Sequence, residues 1–312
     1  FGLTTGLWLP LLFGVKVVYH TSPLDAPMVG RMTRDERGTL LLSTPTFLAL
    51  YTRKCPKEDF GSLRYVIAGA EKLKDKIADA FCEKFGIFPL EGYGATELSP
   101  IVALNIPDFR AGGIEQIGQK KGKIGHPLPG VAVRVTDVQT GRIMGAGEDG
   151  LLWVKGPNVM RGYLDDPERT AAVIQNGWYR TGDIANLDED GFVRITDRLS
   201  RFSKIGGEMV PHLRLEEEIL RLTAYDPEQA CVVTCVEDDQ KGERLVVLHT
   251  RPLDPERIKA GLRDAGLAPI MIPRSGDFVL IDAIPVLGSG KTDLRRVKEI
   301  AGERIARLAV RG

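Results

Sequence analysis

The chemistry open to this chain is concentrated in a few stretches. Between residues 198 and 210, three cations, Arg198, Arg201 and Lys204, precede the pair Gly206-Gly207. Clustered cations suit a phosphate, and paired glycines free the backbone to turn. The stretch reads as a hinge that meets a phosphate, or as a plain β-hairpin and linker. A second stretch, Gly288-Ser-Gly-Lys-Thr292, puts Lys291 behind a Gly-Ser-Gly run, where it can carry a point charge to a developing negative one. It is not a Walker A loop, because that pattern needs Gly at position 285 and Pro285 stands there.

Metal chemistry through Cys or His finds no support. Cys55, Cys82, Cys231 and Cys235 are scattered, as are His20, His126, His212 and His249. Cys231 and Cys235 fall on one side of a Val-rich strand pattern with no His nearby, so buried free thiols of a reducing cytosol are expected.

The elements that must position these residues follow from periodicity. Residues 4–13 read as a short buried helix and 15–20 as a strand. Helix patterns cover 25–37, 46–52 and 74–85, with strands at 39–43, 63–67 and 87–91. Alternating strand and helix implies a parallel sheet with helices packed on it. Two loops, Ala68-Gly-Ala-Glu71 and Gly92-Tyr-Gly-Ala-Thr-Glu97, then lie at carboxyl ends of strands, where such sheets bind ligands. From 125 to 196 the signals are short strands (131–136, 150–155, 191–196) separated by Pro-Gly, Thr-Gly and Asp-Gly turns, a small β-barrel-like subdomain. Helices at 213–222, 255–265 and 293–308 and strands at 230–236, 245–250 and 277–281 make a small α+β domain. The 312 residues suit about two domains. Lys+Arg and Asp+Glu both total 42, so no net field draws the chain to nucleic acid or to anionic membrane. The apolar run at 7–15 is too short to span a bilayer and lacks a basic leader. The chain starts at Phe1 in ordered-looking sequence, which suggests a C-terminal fragment.

Five motifs occur in order. They are Tyr93-Gly-Ala-Thr-Glu97, the run from Gly147 to Tyr163, Tyr179-Arg-Thr-Gly-Asp183, the 191–210 connector with Asp197-Arg198, and Pro285-Val-Leu-Gly-Ser-Gly-Lys291. Together they resemble the adenylate-forming superfamily: acyl-CoA synthetases, peptide-synthetase adenylation domains and firefly luciferase. Three segments, Ala68-Gly-Ala-Glu-Lys-Leu73, Ser203-Lys-Ile-Gly-Gly-Glu-Met-Val210 and Leu287-Gly-Ser-Gly-Lys291, look like the acyl-acyl-carrier-protein synthetase part of bifunctional 2-acylglycerophosphoethanolamine acyltransferases.

The resemblance implies a fatty-acid-activating ligase that uses ATP and Mg2+. The acid attacks the α-phosphate to give acyl-AMP, and a phosphopantetheine thiol, of acyl-carrier protein or of coenzyme A, then takes the acyl group. Gly69, Ala70 and Glu71 would border the adenine, with Tyr93 facing it, and Gly94 would allow close backbone approach. Thr96 would bond the α-phosphate and Glu97 would hold Mg2+. Asp183 would take the ribose hydroxyls, and Arg198 would reach ribose or phosphate. Ile195 would pack on adenine or in the core, whereas Trp178 and Tyr179 read as core. Lys291 would serve acyl-AMP formation, Ser200 would mark the pivot, and Gly206 and Gly207 would leave room in a pantetheine tunnel.

The implied division is a partial α/β subdomain (1–123) and a β-rich subdomain (124–197) of the large domain, a hinge (198–203) and a small mobile domain (204–312). The protein would be cytoplasmic, or lie at the inner face of the cell membrane, with membrane contact only through segments beyond these residues. Three features depart from the family. Ser200 stands where Asp or Lys is usual, Leu213 stands where an acidic residue is common, and no Ser/Thr/Gly-rich loop ending in Pro-Lys-Gly is present. The last departure implies weak nucleotide binding and no adenylation by these residues alone. A non-catalytic nucleotide- or carrier-protein-binding module is the rival reading.

Overall fold

A computed structural model describes residues 1–223, 231–238, 240–286 and 292–309. The chain divides into two compact units, Phe1–Thr196 and Asp197–Gly312.

Local sequence explains where the helices start. α1 is Leu9–Phe13, α2 Ala26–Asp35, α3 Pro45–Lys54, α4 Asp75–Phe85 and α5 Pro167–Val173. α3 opens with Pro45 in its first turn behind Thr44, whose side chain accepts the Phe47 N–H. Asp166 does the same for α5 through Arg169, and Asp25 for α2 through Met28. A polar cap satisfies an N–H that the first turn leaves unpaired, and proline has none to lose.

In the first unit, β1 (Leu40–Ser43), β2 (Tyr65–Ala68) and β3 (Leu90–Gly94) pair in parallel. β4 (Ile101–Leu104) then pairs antiparallel with β3. β5 (Phe109–Ala111) and β6 (Ile114–Gln116) form a separate ribbon, and β7 (His126–Pro127) completes the first sheet beside β4. Phe60, Phe81 and Phe85 fill the core beneath α3 and α4, with Phe60 and Phe85 edge-to-face at 4.8 Å.

A second sheet holds β8 (Ala132–Thr136), β9 (Gly150–Lys155), β10 (Ile174–Gln175), β11 (Trp178–Leu187) and β12 (Val193–Arg198). Its order is β10-β11-β9-β8, with β12 on β11. Leu152, Val154, Tyr179 and Val193 pack there with Leu98, from the turn before β4, and with Val102 of β4.

The second unit contains β13 (Phe202–Ile205), β14 (Glu208–Pro211), α6 (His212–Thr223), β15 (Cys231–Asp238), β16 (Gly242–His249), α7 (Pro255–Asp264), β17 (Phe278–Leu280) and α8 (Leu294–Ala309). Strand alternation gives its sheet two apolar faces. Val233, Leu245 and Val247 pack with α6 and α7, while Val232, Val246 and Leu248 pack with α8.

Two expectations change. Residues 4–13 are helical, but Leu11, Leu12 and Phe13 are 65%, 77% and 74% exposed, so this is not a buried helix. Residues 15–20 form no strand; a strand needs a partner for its backbone groups, and this run pairs with none among the described residues. β11 is a ten-residue strand that hydropathy did not reveal. β13 begins at Phe202, within the span 198–203. No helix among the described residues is long and apolar enough to cross a membrane. Cys55, Cys82, Cys231 and Cys235 are free thiols, Cys55 and Cys235 buried and the other two half-buried.

Candidate nucleotide and metal site

Register brings the two strand-end loops together. Ala68 of β2 lies opposite Glu91 of β3, so Gly69, just past the end of β2, comes beside Gly92, where β3 runs on paired with β4. Gly69 is buried and Ala70, exposed, adopts φ +70°, a left-handed conformation that costs a residue with a Cβ about 1 kcal/mol or more. Glu71 accepts from the Thr46 hydroxyl at 2.7 Å and from the Thr46 N–H at 3.3 Å, which seats its charge at the N-terminal end of α3. Glu91, beneath these loops, accepts the Leu73 N–H at 2.9 Å, and burial pushes its carboxyl up to about 7 despite that bond.

Gly94 has to be glycine. A Cβ there would fall 1.7 Å from the Pro100 carbonyl oxygen, where β4 returns. Thr96 begins a 3-10 turn, Thr96–Leu98, and is exposed, with Glu97 half-buried beside it.

Two contacts tie β3 and this turn to the β-rich part, one to β11 and one to the segment between β9 and α5. The Tyr93 hydroxyl donates to Asp183, which is buried on β11. The Tyr163 hydroxyl donates to Glu97 Oε1 at 2.9 Å. Tyr179 is buried behind them; desolvation, then the charge of Glu97 and the neighbouring Tyr163, push its phenol well above its ordinary value. Asp183 is presented by a bulge: the pairing of β11 with β9 shifts between Arg180 and Ile184, with Gly182 at φ +76°. The Asp183 N–H donates to the Thr181 hydroxyl at 3.0 Å.

Tyr93, Gly94, Thr96, Glu97 and Asp183 are thus gathered at one edge of the first unit, with Gly69, Ala70 and Glu71 on the adjacent strand end. Ile195 lies half-buried against the core cluster of the second sheet. Arg198, Ser200, Gly206 and Gly207 belong to the second unit, and all four are exposed. Gly206 and Gly207 join β13 to β14 with φ +57° and +91°, as a two-residue hairpin with positive φ at both central positions requires. Lys291 lies outside the described residues.

In the sequence Tyr163 only ends a motif, Tyr179 reads as core, and Thr46 and Glu91 carry no functional signal. Only for Tyr163 was there a signal, its place at the end of a motif. Among the described residues no three His, Cys, Asp or Glu side chains could together hold a metal ion. A lone carboxylate such as Glu97 still fits Mg2+, which is commonly held by one or two carboxylates plus the substrate's phosphates and water.

A parallel core sheet, a β-rich second sheet and an α+β unit together form the fold of adenylate-forming enzymes. The crystal structure of ATP-bound MatB from Rhodopseudomonas palustris matches it with a TM-score of 0.78 at 27% identity, over 96% of this chain and 57% of that one. Among curated proteins, a feruloyl-CoA synthase of Amycolatopsis is 34% identical over 289 residues, 90% of this chain and 55% of the relative. A long-chain-fatty-acid–CoA ligase of Yersinia pestis is 33% identical over 304 residues, 96% of this chain and 51% of the relative. The chain belongs to the AMP-binding enzyme family, which matches residues 1–164. It spans about half the length of the curated relatives it matches.

Proposed function

We propose that the chain supplies part of the nucleotide site and the small domain of an ATP-dependent acid–thiol ligase. In the first half-reaction a carboxylate oxygen attacks the α-phosphorus of ATP, the bond to the β-phosphate oxygen breaks, and pyrophosphate leaves. In the second, a thiol sulfur attacks the acyl carbon, AMP leaves with the bonding pair, and the thiol proton goes to solvent. Tyr93 and the loop 69–71 receive adenine, Asp183 the ribose hydroxyls and Thr96 the α-phosphate. Glu97 would hold Mg2+, which neutralises phosphate charge when bound. Arg198 serves the nucleotide, Lys291 the first half-reaction, Ser200 the pivot, and Gly206 and Gly207 the thiol arm. The observation that carries this reading is the gathering of Asp183 and Glu97, 86 residues apart in sequence, around Tyr93 and Tyr163.

The names of the relatives favour coenzyme A as acceptor and a fatty or aryl acid as substrate. The segments 68–73, 203–210 and 287–291 keep acyl-carrier protein as a second reading. Thioester formation assayed with each acceptor separates the two. In the full-length enzyme Lys291→Ala should abolish hydroxamate-trapped acyl-AMP, and full retention of it would favour the non-catalytic module. The 312 residues contain no Ser/Thr/Gly-rich loop ending in Pro-Lys-Gly, so by themselves they should bind AMP without catalysing pyrophosphate exchange. Exchange at the rate of a full-length ligase would refute that.

A further inference from the structure

Glu97 is not left to choose its own direction. The segment 158–163 grips the loop that carries it at four points. The Met160 N–H donates to the Glu97 carbonyl at 2.8 Å. Asn158 Nδ2 donates to the Leu98 and Ile101 carbonyls, both at 3.1 Å. The fourth point is the Tyr163 hydroxyl on Glu97 Oε1.

Tyr163 is held in turn. Its N–H donates to the Thr170 hydroxyl at 2.9 Å, and the Arg169 guanidinium lies 4.0 Å from its ring centroid. The buried Tyr179 neighbours it. The Tyr163 hydroxyl engages Oε1 of the carboxylate, which leaves Oε2 for a ligand in this reading.

We propose that Tyr163 is a positioning residue for Glu97, selecting the one carboxylate orientation that meets a divalent cation. This rests on the reading of Glu97 as cation ligand. A ligand that must be ordered on binding loses affinity, and an outer hydrogen bond removes that cost in advance; loss of such a bond commonly weakens metal binding by about 10-fold or more.

The test uses Mn2+ as probe, with AMP present, binding to the full chain followed by electron paramagnetic resonance. Wild type is compared with Tyr163→Phe, Glu97→Gln and the double variant, and thermal melts confirm that each is folded. Tyr163→Phe should weaken Mn2+ by about 10-fold and add nothing in the Glu97→Gln background. Amide exchange over residues 96–99 should quicken in Tyr163→Phe, which is read without metal. Unchanged Mn2+ affinity in Tyr163→Phe, or an equal loss in both backgrounds, overturns the positioning role and leaves the Glu97 reading standing. Glu97→Gln binding as wild type does, or no Mn2+ uptake by wild type, overturns the Glu97 reading and the role of Tyr163 with it.

Discussion

The Tyr93 hydroxyl donates to the Asp183 carboxylate, joining the end of β3 to the bulge of β11 across 90 residues of sequence. The bond holds the residue proposed to face adenine and the residue proposed to take ribose in one arrangement. Removing the hydroxyl leaves a buried carboxylate short of a donor. Tyr93→Phe should therefore lower stability by about 1–3 kcal/mol and weaken AMP. Asp183→Ala should weaken AMP by at least about 10-fold, the worth of a hydrogen bond to a charged group. Calorimetric titration with AMP checks both; unchanged affinity in Asp183→Ala would remove Asp183 from the site.

Gly94→Ala should be severe. Its Cβ would meet the Pro100 carbonyl oxygen at 1.7 Å, and backbone cannot yield as a side-chain tip can. The expected loss is about 1–3 kcal/mol or more, read as a lowered melting temperature. Gly276→Ala is the matched control, with open space where its Cβ would go, and should melt within a degree or two of wild type.

Glu91 sets a slope of stability with pH. Its folded pKa is raised to about 7, against 4.5 ordinarily, because burial disfavours the charge. Between those values the folded state holds a proton that the unfolded state has lost. The contribution is full below pH 4.5 and is lost as pH rises through about 7. Glu91→Gln keeps an acceptor for the Leu73 N–H and cannot titrate. Stability of the wild type relative to Glu91→Gln should fall by up to about 3 kcal/mol across that window, measured by urea unfolding at a series of pH values.

Ser203 and His212 give the opposite slope in the second unit. Ser203 Oγ and His212 Nε2 are 2.6 Å apart and both residues are buried. Burial, then the charges of Arg201 and Lys298, hold the imidazole down at about 3. A depressed pKa means stability that is present above pH 6.5 and lost as pH falls from 6.5 toward 3. His212→Gln, which can still bond Ser203, should abolish this acid loss, itself on the order of 4 kcal/mol. An identical acid midpoint in the variant would contradict it.

Much of the chain could be read locally. Pro45 after Thr44 announces a helix start because a cap acts within a few residues, whereas α5, with the same signal at Asp166 and Pro167, was not read from the sequence. β9 falls at 150–155 as its unbroken apolar run requires, and Gly206-Gly207 turns where two positive φ values are needed. The motifs around Tyr93, Glu97 and Asp183 define a family because the residue types and their order are themselves the signal.

What failed to show locally depends on a distant partner. β11 was hidden because Thr181-Gly182-Asp183 interrupts its alternation with a bulge that aims Asp183. The apolar run at 7–13 has the composition of a buried helix, yet burial belongs to the neighbours and not to the run. By composition and order, the sequence alone pointed to the groups that could do chemistry and to most of the elements that carry them, β11 excepted. Only the tertiary structure decided that Tyr93 meets Asp183 and that Tyr163 meets Glu97. Those bonds join residues 90 and 66 apart, and no periodicity within a strand or helix encodes a contact between elements that far apart in sequence.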